Sequence, residues 1–123
     1  YFLNTTGLDL SKNTAGAYGS AQDIVKLLLH IAKKDSSLME VTRLKSINLH
    51  DREFQNTDWV IGDLPGFIAG KTGFSDLAGG NLAVVVDNGF NRPFVIVVLG
   101  STIDGRFNDV KNLFNAAVAK TAN

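Results

Sequence analysis

The spacing of apolar residues changes character along the chain, and the changes mark its elements. Ile24, Leu27, Leu28 and Ile31 recur on one helical face, and Ser20 with Asp23 three positions later makes the Ser-x-x-Asp pattern that closes a helix N-terminus. A helix from that cap to about Lys33 is predicted. Residues 1–19, rich in Gly, Asn, Thr and Ser without a sustained period, read as a loop leading into it. Beyond the helix, Ser36 and Ser37 are placed to cap a shorter one running to about Thr42. Leu44 to His50 then alternates apolar and polar residues as a strand does. Asn56 to Gly66 contains Trp59, Asp63, Pro65 and Gly66, which predicts turns around one anchoring aromatic residue.

Three strand-like runs follow, Phe67 to Phe74, Gly80 to Asp87 and Pro93 to Ser101. The link Asn88-Gly89-Phe90-Asn91-Arg92 suits an antiparallel hairpin between the second and third. Leu82 to Val86 and Phe94 to Leu99 are nearly continuous apolar runs, as in strands covered on both faces. A final helix, about Asp104 to Lys120, carries Phe107, Val110, Phe114, Ala117 and Val118 on one stripe and can cover one face. The helix after Ser20 can cover the other. The pattern predicts an α+β fold in which an antiparallel sheet of at least three strands is flanked by helices.

With 123 residues, 45% hydrophobic and 20% charged, the chain has the composition of one packed domain and lies far from the low-hydrophobicity regime of disorder. Twelve basic residues balance twelve acidic ones, so bulk charge gives no case for nucleic acid or an anionic membrane as partner. The lack of cysteine excludes disulfides and thiolate metal sites. No segment reaches the roughly 18 apolar residues of a membrane span. The chain starts at Tyr1, as expected of a processed or partial product, so a missing leader says nothing about targeting.

The candidate chemistry lies in Gly70-Lys71-Thr72-Gly73-Phe74, where a cation, a hydroxyl and two glycines interrupt an apolar strand. Lys71 suits carboxylate recognition, Thr72 adds a hydroxyl donor, Gly73 leaves room for an incoming chain, and the Phe74 amide is placed for a developing oxyanion. Such a strand can take up a peptide by β-augmentation. Strict alternation sends Lys71 and Thr72 to opposite faces, so both serve one pocket only on a twisted edge strand whose rim lines the cleft. Taken alone, the tripeptide reads first as a solvent-facing turn, since three residues match by chance easily. His30 and His50 have no acidic partners at metal spacing and read as structural or surface residues, so neither a metal nor a cofactor is predicted. Asp9 and Asp23 are assigned to local turn and capping roles, Ser75 and Asp76 to the turn leaving the strand, Trp59 to the core, and Arg106 by itself to a solvated first helical turn.

The surroundings of the tripeptide carry more. Asn4-Thr5-Thr6-Gly7-Leu8-Asp9, Gly19-Ser20-Ala21-Gln22-Asp23-Ile24, Gly70 to Gly79, Val97-Val98-Leu99-Gly100-Ser101 and Gly105-Arg106 occur in one order from about residue 4 to residue 118. This arrangement resembles the D-alanyl-D-alanine carboxypeptidases, the low-molecular-weight penicillin-binding proteins, whose fold is of the β-lactamase/transpeptidase type. The resemblance implies that Lys71, Thr72 and Gly73 line a cleft and hold a peptide carboxylate or a β-lactam. It further implies that the Phe74 amide serves an oxyanion hole, that Arg106 helps bind the terminal carboxylate, and that the protein works outside the cytoplasm, in the periplasm or cell envelope.

Two departures from the family pattern shape the expectation. The family's Ser-x-x-Lys and Ser-x-Asn motifs stand upstream of the Gly-Leu-Asp segment, and no Ser-x-x-Lys occurs in these residues. Ser46-Ile47-Asn48 spells Ser-x-Asn but lies downstream, and reads as coincidence within an ordinary strand. The stretch Asn13 to Tyr18 also lengthens a surface loop. Residues 1–123 are therefore expected to be the C-terminal portion of a carboxypeptidase catalytic domain, without its nucleophile and inactive alone. The expected partners are D-Ala-D-Ala peptides and β-lactams, together with the N-terminal half of the domain or a second copy along the sheet edge ending at Gly100-Ser101. A non-catalytic peptide- or partner-binding module and a class A β-lactamase fragment are the alternative readings.

Overall fold

A computed structural model of the chain describes residues 1–87, 89 and 93–121. Helix α1, Ala21–Lys34, starts at the cap the sequence predicts. The Asp23 amide donates to Ser20 Oγ at 3.2 Å, and the Ser20 amide donates back to Asp23 Oδ2 at 2.9 Å. These reciprocal bonds satisfy amides that the first helical turn leaves without partners. They also hold the Asp23 carboxyl below its ordinary value, with the backbone bond from Ser20 as the largest cause. Ahead of α1, residues 1–19 fold back on themselves. Leu3 donates to the Gly16 carbonyl at 2.8 Å, Tyr18 to that of Tyr1 at 2.9 Å, and the two tyrosine rings stack at 5.4 Å.

The second short helix is a 3₁₀-helix, Ser36–Arg43, and its cap differs from the expected one. Asp35, not Ser36 or Ser37, occupies the cap, accepting from the Ser37 amide at 3.1 Å. A carboxylate one residue earlier reaches the same orphan amides. The strand expected from Leu44 to His50 narrows to β1, Ser46–Leu49, and pairs with an unforeseen strand β2, Arg52–Gln55. His50 and Asp51 turn between them with φ of 48° and 60°. All four residues of β2 are exposed, so neither face leaves a hydrophobic trace in the sequence.

The main sheet consists of β3, Phe67–Ser75, β4, Gly79–Val86, and β5, Phe94–Ser101, antiparallel in that order. The predicted hairpin link falls outside the described residues except for Gly89. Strand β4 is central and almost wholly buried, which explains its continuous apolar run. Helix α2, Gly105–Thr121, lays Phe107, Val110 and Phe114 on one face of the sheet, against Leu82, Val84 and Val98. On the other face, Ala69, Val85 and Met39 are covered by Leu28 and Ile31 of α1. No residue of α1 is fully buried, so this second layer is the thinner one. The fold is α+β, as the sequence predicts.

Candidate functional site

Strand β3 forms one edge of the main sheet, so it has a row of backbone groups facing away from β4. The Gly70 amide donates outward to Thr42 Oγ1 of the 3₁₀-helix at 3.2 Å. The register to β4 is regular from Ala69 to Ser75, so the period of two puts the Thr72 and Phe74 amides on the same open side. Side chains alternate as well. Lys71 shares the α1 face with Ala69, and Thr72 shares the α2 face with its register partner Leu82.

Both side chains still border one groove, because it runs along the strand's rim. Its volume is about 290 Å³, and it lies between β3, the 3₁₀-helix and the β1–β2 hairpin, with Thr42, Ile47, Phe54 and Thr57 among its walls. Lys71 is exposed, and its Nζ donates to the Thr72 carbonyl. Thr72 Oγ1 lies 2.6 Å from Thr57 Oγ1. Phe74 is 53% exposed beyond the groove. Ser46 and Ile47 of the Ser-x-Asn look-alike border the groove as part of β1, a strand as predicted. Ser75 caps the exit turn, accepting from the Ala78 amide at 3.1 Å.

Arg106 stands elsewhere. It opens α2, yet it is only 6% exposed and is not the solvated first-turn residue its sequence position suggests. Its Nη1 donates to the Gly73 carbonyl at 2.8 Å, and its guanidinium lies 4.8 Å from the centroid of the Phe107 ring. The resemblance puts this arginine on a ligand carboxylate. Here its hydrogen bonds go to backbone carbonyls of the sheet, that of Gly73 in the Lys-Thr-Gly strand and, at 3.5 Å, that of Asn81 in β4.

The sequence reading also missed Asp58, which is 4% exposed beneath β3. Oδ1 accepts from the Val60 amide at 3.1 Å, whereas Oδ2 is buried with no hydrogen-bond partner among the described residues. A Cβ on Gly70 would overlap Asp58 Oδ2, so the glycine is what lets the carboxylate lie against the strand. Burial raises the Asp58 pKa. The bond from Val60 and the charge of Arg106 offset part of that rise. One aspartate in a polar turn has no sequence signature of burial. Beside it, Trp59 departs from its predicted core role. It is 64% exposed and lies flat on Phe107 at 5.0 Å, while Val60, fully buried, anchors the turn. The local chain direction set by the Asp58–Val60 bond turns the smaller residue inward.

The profile of one protein family, described as D-alanyl-D-alanine carboxypeptidase, matches residues 1–102. This chain belongs to that family. Its fold is also that of solved penicillin-binding proteins. Penicillin-binding protein D2 from Listeria monocytogenes, in its ampicillin-bound form, superposes with a TM-score of 0.81 at 23% identity, over 93% of this chain and 46% of that one. The cefotaxime-bound form of the same protein gives the same values. Penicillin binding protein 5 from Haemophilus influenzae gives 0.76 at 23% identity, over 89% of this chain and 31% of that one. The family member described here thus spans less than half the length of these solved chains. No curated protein sequence matches it significantly.

Proposed function

We propose that this chain forms the Lys-Thr-Gly wall of a serine-type D-Ala-D-Ala carboxypeptidase site that acts on peptidoglycan stem peptides outside the cytoplasm. The observation that carries the reading is the open edge of β3, where the Lys71 and Thr72 side chains border one groove and the Thr72 and Phe74 amides face the same side. Lys71 and Thr72 hold the terminal carboxylate of the peptide, or that of a β-lactam, by charge-assisted hydrogen bonds. Gly73 lets the ligand backbone approach. A serine from outside these residues, with a lysine as its base, attacks the carbonyl of the penultimate D-alanine. The Phe74 amide donates to the tetrahedral oxyanion, the C–N bond breaks, and D-alanine leaves with the proton delivered to its nitrogen. Water then hydrolyses the acyl-serine ester. Arg106 contributes by fixing the Gly73 carbonyl from behind.

Partner contacts follow from the opposite edge. Strand β5 ends the sheet, and beside its last residues a groove of about 520 Å³ is lined by Phe2, Tyr18, Leu77 and Leu99, with Leu99 43% exposed. The nucleophile-bearing half of the domain covers this edge in the active protein, and a second copy of the chain is the alternative occupant. A fluorescent penicillin tests both statements. The isolated 123-residue chain acquires no covalent label, and adding the nucleophile-bearing segment restores stoichiometric labelling. Stoichiometric labelling of the isolated chain would overturn the reading.

A further inference from the structure

Thr57 belongs to no motif, yet its hydroxyl lies within hydrogen-bond distance of the Thr72 hydroxyl. The turn that carries it is fixed on both sides. Asn56 Nδ2 donates to the carbonyls of Thr42 at 3.0 Å and Leu44 at 2.9 Å, and the Asp58 amide donates to Asn56 Oδ1 at 2.9 Å. From this support the Thr57 hydroxyl meets that of Thr72 at 2.6 Å, and both residues line the groove beside Lys71.

A threonine hydroxyl has one proton and two lone pairs, so the pair has two states. When Thr72 donates to Thr57, Thr72 presents only lone pairs to the groove. When Thr57 donates to Thr72, the Thr72 proton is free for a ligand. An anion beside the Lys71 ammonium selects the second state, and the bond from Thr57 then polarises the Thr72 hydroxyl toward it. Resting on the proposed carboxylate-binding role of Lys71 and Thr72, we propose that Thr57 is a positioning residue that orients the Thr72 hydroxyl as a donor and so sets the preference for a ligand with a free carboxylate.

The test compares binding of an acyl-D-Ala-D-Ala peptide with binding of its methyl ester by the intact protein, in wild type, Thr57→Val and Thr57→Ser. Wild type is expected to bind the acid more tightly. Thr57→Val, which keeps the shape and removes the hydroxyl, weakens acid binding about threefold to tenfold and ester binding by less than about twofold, since one net hydrogen bond is lost. Thr57→Ser restores the acid, and the melting temperatures of all three agree, because Thr57 is exposed. Unchanged acid binding in Thr57→Val, equal weakening of acid and ester, or failure of Thr57→Ser to restore binding would each overturn the positioning role alone. A wild-type protein that does not distinguish acid from ester would overturn the reading of Lys71 and Thr72, and this role with it.

Discussion

Arg106 donates from Nη1 to the carbonyl of Gly73 at 2.8 Å, joining the start of α2 to the Lys-Thr-Gly strand across 33 residues of sequence. The guanidinium is buried, so this bond was formed at the expense of solvation and its loss is not made good by water. Arg106 is also the cation whose charge opposes the pKa rise of Asp58.

Arg106→Met is therefore expected to destabilise the fold by about 2–3 kcal/mol, the scale of a hydrogen bond from a charged donor. Arg106→Lys recovers little of it, because an ammonium lacks the planar fork that reaches a carbonyl while lying over a ring. Urea unfolding of the variants checks this. A loss below about 0.5 kcal/mol in Arg106→Met would contradict the clamp.

The raised pKa of Asp58 sets a pH dependence with a definite sign. Its folded value lies above the ordinary 3.8, so its stabilising contribution is complete below that value and is lost as pH rises through the folded pKa. Asp58→Asn keeps an oxygen for the Val60 amide and removes the titration. The stability of Asp58→Asn relative to wild type should increase as pH rises from below 3.8 and then level off above the folded pKa. Urea unfolding across that range measures the difference, and a decrease with rising pH would refute the assignment.

Two glycines of one strand should respond differently to alanine. At Gly70 the new methyl would overlap Asp58 Oδ2 and lie 2.9 Å from Phe67 Cζ, so Gly70→Ala is expected to cost about 1–3 kcal/mol as an overpacked site. At Gly73 the nearest atom is Asn81 Cβ at 3.7 Å, an ordinary contact, and Gly73→Ala should stay within about 1 kcal/mol of wild type. Calorimetric melting of the pair separates the two cases.

Lys71 is exposed, so Lys71→Ala should leave the melting temperature unchanged. On the proposed function it weakens binding of a free-carboxylate ligand about tenfold to a hundredfold, the range of a charge-assisted hydrogen bond. Titration of the intact protein with an acyl-D-Ala-D-Ala peptide reads the effect. Unaltered affinity would remove Lys71 from the site.

The elements most legible in the sequence are those whose signal is local or periodic. Ser20 and Asp23 specify the start of α1 because both capping partners lie within one turn of chain. The stripe of Phe107, Val110 and Phe114 specifies the buried face of α2, and the unbroken apolar run of β4 specifies a strand covered on both sides. The order of the motifs around Lys71-Thr72-Gly73 likewise led to the family that the profile match over residues 1–102 establishes. Strand β2 stayed hidden because four exposed residues leave neither face marked.

What the tertiary structure decided are the relations between residues far apart in the chain. Lys71 and Thr72 alternate to opposite faces, as one strand must, and they border a single groove because β3 is an edge beside the β1–β2 hairpin. Arg106 reads as a surface residue from its own neighbours and becomes buried because α2 docks over Gly73. Asp58, Gly70 and Thr57 acquire their roles in the same way, from contacts 12 to 15 residues long that close only when the turn after β2 packs against β3. Periodicity records which face of an element is covered. It does not record which distant residue does the covering, since that is fixed by how the layers meet.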